Sequence, residues 1–236
     1  MPPQRKHATR ANTGGSRKNV MPQRPRKSIP EGDSTPIFKL VTDSSLTIYK
    51  VPMPDASVFY IPNLIDHKTS EWYTTLSELS TWHRPTLKVY GKSVRQSREI
   101  AAYAADPSLV VKYSGALVDL HSDYPEIITS IQRMVEEKLK VQFNHVMLNR
   151  YDSGEVYIGL HSDNLENRVI ATVSIGAERT FIMRHKGNKS VKKWMLADGS
   201  LFVMQGDTQR FWKHEIPKEP KIKEGRISLT FRQLVF

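Results

Sequence analysis

The sequence predicts a mainly β fold with flanking helices, and three observations carry that prediction. From residue 143 to the C-terminal Phe236, short apolar or alternating runs follow one another, divided by turns that bear Gly, Asp and Asn. Such an array reads as a sandwich or jelly roll. Two stretches with helical apolar spacing precede it instead of alternating with it, so the helices are expected to back a sheet rather than to cross over between parallel strands. The first 36 residues hold almost no large apolar side chain and cannot bury enough surface to offset their ordering entropy.

The elements follow in chain order. Residues 1–36 read as a basic disordered tail, with Arg5, Lys6, Arg10, Arg17, Lys18, Arg24, Arg26 and Lys27 set among Pro, Gly, Ser and Asn. Residues 37–142 form an N-terminal region. In it the alternation through Leu46-Thr-Ile48-Tyr49-Lys-Val51 and Val58-Phe59-Tyr60-Ile61 gives short strands. Trp72, Leu76 and Leu79 mark a helix over 66–79. Residues 81–115 read as irregular and hairpin-like. Pro125 starts a second helix over 123–140, whose apolar face is Ile127, Ile128, Ile131, Met134, Val135 and Leu139. Residues 143–236 form the β core, with strands expected at 143–151, 156–161, 169–175, 180–185, 193–196, 200–204, 212–216 and 226–235.

Composition narrows the chemistry. A formal net charge of +11 over 236 residues favours a polyanionic partner. Cysteine is absent, which excludes disulfides, thiolate metal sites and cysteine nucleophiles, so any metal must be held by His and carboxylate. No apolar run approaches the roughly 18 residues of a membrane span, and no signal-peptide core is present. The chain is therefore expected to be soluble, intracellular and away from membranes, with a monomer as the default.

His161 and Asp163 are two apart at the end of a strand-like run and so share a face. With His214 they can complete a facial triad of two His and one carboxylate, the arrangement usual for non-haem Fe(II) oxygenases, which leaves metal positions open for a co-substrate and O2. Alone, His-x-Asp is also a common surface pair. The order of parts strengthens the assignment. Arg226, Ser228 and Arg232 follow at even spacing on one face of the last strand, and two arginines turned into a sandwich are costly without anions to meet them. A guanidinium fork matches a carboxylate co-substrate. Asn149 and Tyr151 share a strand face upstream and can bond the same carboxylates, although the Asp152-Ser-Gly154 that follows also reads as a turn.

The stretch Asn149–Phe236 resembles the catalytic core of the AlkB family of Fe(II)/2-oxoglutarate dioxygenases, most closely its duplex-DNA alkylation-repair branch. The motifs that carry the likeness are Asn149-Arg-Tyr151, Ile158-Gly-Leu-His161-Ser-Asp163, Val173-Ser-Ile-Gly176-Ala-Glu-Arg179-Thr-Phe181, Asp198-Gly-Ser200-Leu-Phe-Val-Met204, Gln209-Arg-Phe-Trp212-Lys-His214 and Arg226-Ile-Ser-Leu-Thr-Phe-Arg232. The resemblance implies a double-stranded β-helix (jelly roll) core with an N-terminal nucleotide-recognition lid. It implies Fe(II) on His161, Asp163 and His214, with 2-oxoglutarate and O2 as co-substrates. Arg226 would meet the distal carboxylate, Arg232 the end near the metal, and Asn149, Tyr151 and Ser228 would assist. Ser228 stands where the family usually has Asn. The implied reaction converts 2-oxoglutarate to succinate and CO2 and removes an N-alkyl group from a base as an aldehyde, formaldehyde in the case of methyl.

The same resemblance implies DNA as the partner, duplex favoured and single strands possible. Leu87-Lys-Val89-Tyr90-Gly91-Lys92 resembles the finger that fills the gap left by a flipped nucleotide, and such a wedge offsets part of the extrusion cost. Tyr90 reads equally as a hairpin aromatic packed on the core. Arg98 and Tyr113-Ser114 resemble the recognition lid, with Tyr113 stacking on the base and Arg98 and Ser114 at the phosphates. Where this branch commonly continues past the metal Asp with two more acids, the chain has Asn164-Leu165, and Glu166 one place later. The resemblance as a whole implies repair of lesions such as 1-methyladenine and 3-methylcytosine, in the nucleus or the cytoplasm. An RNA demethylase with the same chemistry and a non-catalytic nucleic-acid-binding module are the alternatives.

Overall fold

The computed structural model describes residues 49–89, 92–113 and 116–235. The basic tail, Tyr90, Gly91 and Ser114 lie outside the described residues, and at Val89 and Tyr113 only the backbone is described. The N-terminal elements are β1 (Tyr49–Val51), β2 (Ser57–Ile61), α1 (Thr69–Ser77), β3 (Thr86–Val89), β4 (Lys92–Arg95), β5 (Glu99–Ala104), β6 (Lys112–Tyr113), β7 (Ala116–Leu117) and α2 (Glu126–Leu139). They are followed by β8 (His145–Tyr151), β9 (Ile158–His161), β10 (Asn167–Gly176), β11 (Arg179–His185), β12 (Val191–Leu196), β13 (Leu201–Gln205), α3 (Thr208–Phe211), β14 (Trp212–Ile216) and β15 (Arg226–Leu234).

Two antiparallel sheets organise these elements. A seven-stranded sheet runs β1-β2-β13-β10-β15-β8-β5, and a four-stranded sheet runs β12-β11-β14-β9. The larger sheet is buried on both faces. One face, with Phe59, Ala171, Val173, Val203 and Leu229, packs against Leu76 of α1 and Ile128, Ile131, Val135 and Leu139 of α2. The other, with Val58, Ile170, Phe202 and Met204, packs against Phe181, Met183, Trp212 and Ile216 of the smaller sheet. Burial on both sides explains why β10 and β15 read as nearly continuous apolar runs rather than clean alternation. Among the described residues, no helix is long and apolar enough to cross a membrane.

Both expected helices form, each trimmed at its ends. Lys68 is left-handed (φ 68°), so α1 starts at Thr69. Pro125 caps α2 in an extended conformation (ψ 142°), and a left-handed Lys140 ends it. Two expectations are corrected. Residues 81–115 are not simply irregular: Glu99–Ala104 is the buried edge strand β5, paired along its length with β8. Nor does a domain boundary fall between 142 and 143. β2 lies beside β13, and β5 beside β8, so the N-terminal region supplies strands to the core sheet itself.

Candidate active site

His161 ends β9 and His214 is central in β14, and antiparallel pairing sets the two directly opposite. Their ring centroids are 4.3 Å apart, and Phe181 of β11 stacks on His214 at 5.4 Å. Asp163 lies two residues past the end of β9. Its Oδ1 accepts from Arg232 Nη2 at 2.8 Å, and its Oδ2 is 3.6 Å from His214 Nε2. The three side chains of the expected triad therefore meet at one place, where the end of β9 lies beside the middle of β14 and Arg232 of β15 reaches Asp163.

Burial and charge set their protonation. Burial pushes the His214 imidazole down to about 3, reinforced by neighbouring His161, against the opposing pull of Asp163. Burial lowers His161 as well. Both rings are neutral at physiological pH, so the approach of His214 to Asp163 is not an ion pair. Burial alone would raise the Asp163 carboxyl, but Arg232, by its charge and its hydrogen bond, outweighs it and holds it down at about 2. The His161 Nδ1 lies 2.8 Å from the Gly159 carbonyl. A carbonyl only accepts, so Nδ1 carries the proton and Nε2 keeps its lone pair.

A side chain to which sequence reasoning gave no role holds the backbone at Asp163. The buried Gln209 of α3 accepts the Asp163 N–H on Oε1 at 2.9 Å and turns its amide nitrogen to Met204 Sδ. Gln209→Leu should weaken Mn(II) or Fe(II) affinity about 10-fold or more, the usual cost of losing a group that orients a metal ligand. Metal titration followed by tryptophan fluorescence checks this, and an unchanged affinity would remove Gln209 from the site.

The other end of the site is built on β8 and β15, which pair with Tyr151 opposite Arg226, Asn149 opposite Ser228 and His145 opposite Arg232. Asn149, Tyr151, Arg226, Ser228 and Arg232 all line one cavity together with His161, Asp163 and His214. Arg226 is only 2 % exposed. Its Nη2 donates to Ser174 Oγ at 2.9 Å, and its guanidinium lies 5.3 Å from the Tyr151 ring centre. Among the described residues, no carboxylate pairs with it, and its Nε has no partner. A buried, unpaired cation costs several kcal/mol, so this corner of the cavity is made for an anion. Ser174 was not expected; it was legible only as a lone hydroxyl in the apolar run of β10, on the same face as Thr172.

Not every expected contact is brought together. Arg98, expected at a phosphate, is 1 % exposed. It donates from Nε to Asn149 Oδ1 and from Nη1 to Gln96 Oε1, both at 2.8 Å. Its place is corrected from the nucleic-acid surface to the wall behind Asn149, where it leaves the Asn149 amide nitrogen for the cavity. Asn164 and Glu166 are exposed, and neither is among the cavity-lining residues. The Asn164 carbonyl instead closes a turn with Asn167, and the Glu166 carbonyl accepts from Val235. Val89 pairs with Lys92 across β3 and β4, and Tyr113 with Ala116 across β6 and β7.

Residues 57–232 match the 2OG-Fe(II) oxygenase superfamily. The chain belongs to that superfamily. Within it, the oxygenase is similar to AlkB-type proteins. It is 30 % identical over 210 residues to DNA oxidative demethylase ALKBH2 of Arabidopsis thaliana, covering 75 % of this chain and 66 % of that protein. Against the Homo sapiens ALKBH2 it is 32 % identical over 161 residues (63 % and 61 % covered). Against the human alpha-ketoglutarate-dependent dioxygenase alkB homolog 3 it is 27 % identical over 202 residues (78 % and 70 %). The aligned stretches span 57 to 66 % of the length of the ALKBH2 relatives. The solved structure of OsALKBH1 superposes with a TM-score of 0.51 at 17 % identity, over 78 % of this chain and 100 % of that one, which supports the jelly-roll fold.

Membership implies Fe(II), 2-oxoglutarate and O2 as the groups the oxygenase uses, and the residues present fit them. Two neutral imidazoles and an ionised carboxylate are the donor set suited to Fe(II), and His214 Nδ1 is buried with no partner. As the side chains stand, no group of three or more His, Asp or Glu among the described residues has the geometry to hold a metal ion. One Asp163 oxygen is held by Arg232.

The depressed histidines give the ligand-free oxygenase a definite pH response. His145 and His214 both sit at about 3 when folded, against about 6.5 unfolded. Between those values the unfolded chain binds more protons, so stability is full above about pH 6.5 and is lost as pH falls toward 3. Asp163, lowered from 3.8 to about 2, adds a loss in the same direction at the acid end. The unfolding free energy from urea titration should therefore drop between pH 7 and pH 5, by about 1–2 kcal/mol per histidine. A flat profile over that range would contradict neutral burial of these rings.

Proposed function

We propose that the oxygenase removes alkyl groups from N-alkylated bases such as 1-methyladenine and 3-methylcytosine in DNA, with 2-oxoglutarate as co-substrate and formaldehyde as product. The observation that carries the reading is the shared cavity. Two neutral imidazoles and the ionised Asp163 lie at one part of it, and the buried, carboxylate-free Arg226 lies at another. The names of the ALKBH2 relatives, DNA oxidative demethylases, supply the substrate class. The net charge of +11 agrees with a polyanion.

His161, Asp163 and His214 would hold the metal. Once bound, it supplies O2-dependent oxidation of a C–H bond coupled to decarboxylation of 2-oxoglutarate to succinate and CO2. The chain does the rest. Arg226 grips the distal carboxylate, aided by Tyr151 and Ser228. The Asn149 amide, held by Arg98, and Arg232 orient the other end. Phe181, Leu196, Phe202 and Met204 supply an apolar wall that limits water. His161, partly exposed at the rim, faces the incoming base. The carbinol formed on nitrogen then loses formaldehyde and restores the base. Duplex DNA is the favoured polymer because the sequence Leu87-Lys-Val89-Tyr90-Gly91-Lys92 resembles a base-displacing wedge. A nuclear, monomeric enzyme is part of this reading.

The test is incubation with Fe(II), 2-oxoglutarate and ascorbate on matched oligonucleotides bearing either lesion, as duplex DNA, single-stranded DNA and RNA. Mass spectrometry reads the loss of methyl. The expected order has duplex DNA fastest, and Tyr90→Ala slows duplex more than single-stranded repair. Equal loss on both removes the wedge role. Repair confined to RNA keeps the oxygenase chemistry and discards the DNA assignment.

A further inference from the structure

His145 is a buried polar residue that the chemistry above does not use. It begins β8 and is fully buried, and neither ring nitrogen has a hydrogen-bond partner among the described residues. Strand alternation puts it on the same face as Met147, Asn149 and Tyr151, all of which line the cavity. It stands directly opposite Arg232 in the β8–β15 register, and such cross-strand pairs have Cα atoms about 5 Å apart with side chains on one face. Arg232 has an unmet need of its own. Its Nη2 is bound to Asp163, while its Nε–H is buried with no partner.

The two needs are complementary. A neutral imidazole presents one acceptor nitrogen and one N–H donor, whereas a guanidinium only donates. Burial, with Arg232 as the next cause, keeps the His145 ring neutral, at about 3, so it always has an acceptor to offer. An unsatisfied buried donor or acceptor is costly, and an ordered water with two or more polar partners is the common remedy.

We propose that His145 is a positioning residue for Arg232, accepting the buried Arg232 Nε–H through one bridging water and so fixing the guanidinium between Asp163 and the co-substrate carboxylate. Two donors of the guanidinium, Nε–H to the water held by His145 and Nη2–H to Asp163, then define its plane. The remaining N–H groups point in a set direction for the carboxylate. The side chain contributes orientation, not charge.

This inference rests on the 2-oxoglutarate reading of the cavity. Calorimetric titration of 2-oxoglutarate into the full chain loaded with Mn(II) tests it without turnover. His145→Phe keeps an aromatic side chain at the position and removes both nitrogens, and its Kd should rise about five-fold or more. His145→Gln, which restores an acceptor and a donor, should stay within about two-fold of the native chain. In turnover, His145→Phe should raise KM for 2-oxoglutarate and leave KM for the oligonucleotide unchanged. Equal Kd for the native chain and His145→Phe overturns the assignment alone. So does equal weakening by Phe and Gln, since shape rather than hydrogen bonding would then matter. A native chain that takes up no 2-oxoglutarate overturns the cavity reading and this inference with it.

Discussion

His161→Ala abolishes turnover: demethylation and succinate formation should both fall by about a thousand-fold or more, the scale on which loss of an essential active-site group is felt. His161 is the best choice among the three proposed metal ligands because it is only partly buried, while His214 and Asp163 are packed in the interior. Alanine at 161 opens no core cavity, and the thermal midpoint of the metal-free variant should match that of the native chain. Mn(II) binding should be lost with the activity. An active variant, or one that binds Mn(II) normally, would remove His161 from the metal site.

Arg226→Met gives the second large effect, with opposite signs on binding and stability. The guanidinium is buried among Tyr151, Ser174 and Ser228, with no carboxylate partner among the described residues. Burial already depresses its proton affinity. Methionine fills similar space without charge, so the ligand-free variant should be as stable as the native chain, or more stable by about 1–4 kcal/mol. The partner of a buried charge pair would be lost at the same time, at a cost of about 2–5 kcal/mol. The KM for 2-oxoglutarate should therefore rise roughly 30-fold or more. Thermal melts with and without 2-oxoglutarate check both halves. A variant less stable than the native chain, yet still shifted by 2-oxoglutarate, would mean that Arg226 serves the fold and not the ligand.

Much of the fold was legible because hydrophobic pattern reports which way a residue faces. The expected strands from 143 onward coincide with β8 to β15 to within two residues at each end. Even spacing placed Arg226, Ser228 and Arg232 on one face, and all three line the cavity. Pattern says nothing of neighbours across space, and the misses are of that kind. β5 escaped because Ile100-Ala-Ala-Tyr-Ala104 is dominated by small residues of weak strand preference; it is a strand because β8 lies beside it. Arg98 looked like a surface cation until its hydrogen bond to Asn149, 51 positions away, placed it inside. Gln209, Ser174 and His145 are ordinary polar letters in sequence. The register of the sheets reveals that Ser174 and His145 face the site, and a hydrogen bond from α3 to Asp163 reveals Gln209.

The strand that carries His161 is four residues long and stands at the rim of the smaller sheet, where among the described strands it pairs with β14 alone, with an irregularity between His214 and Ile216. Few backbone bonds hold it there. A cation shared by His161 and His214 would clamp this loose margin to its neighbour. Loading the metal would then complete the architecture as well as arm the chemistry. The metal-free chain would open first along this margin, the larger sheet staying closed behind it.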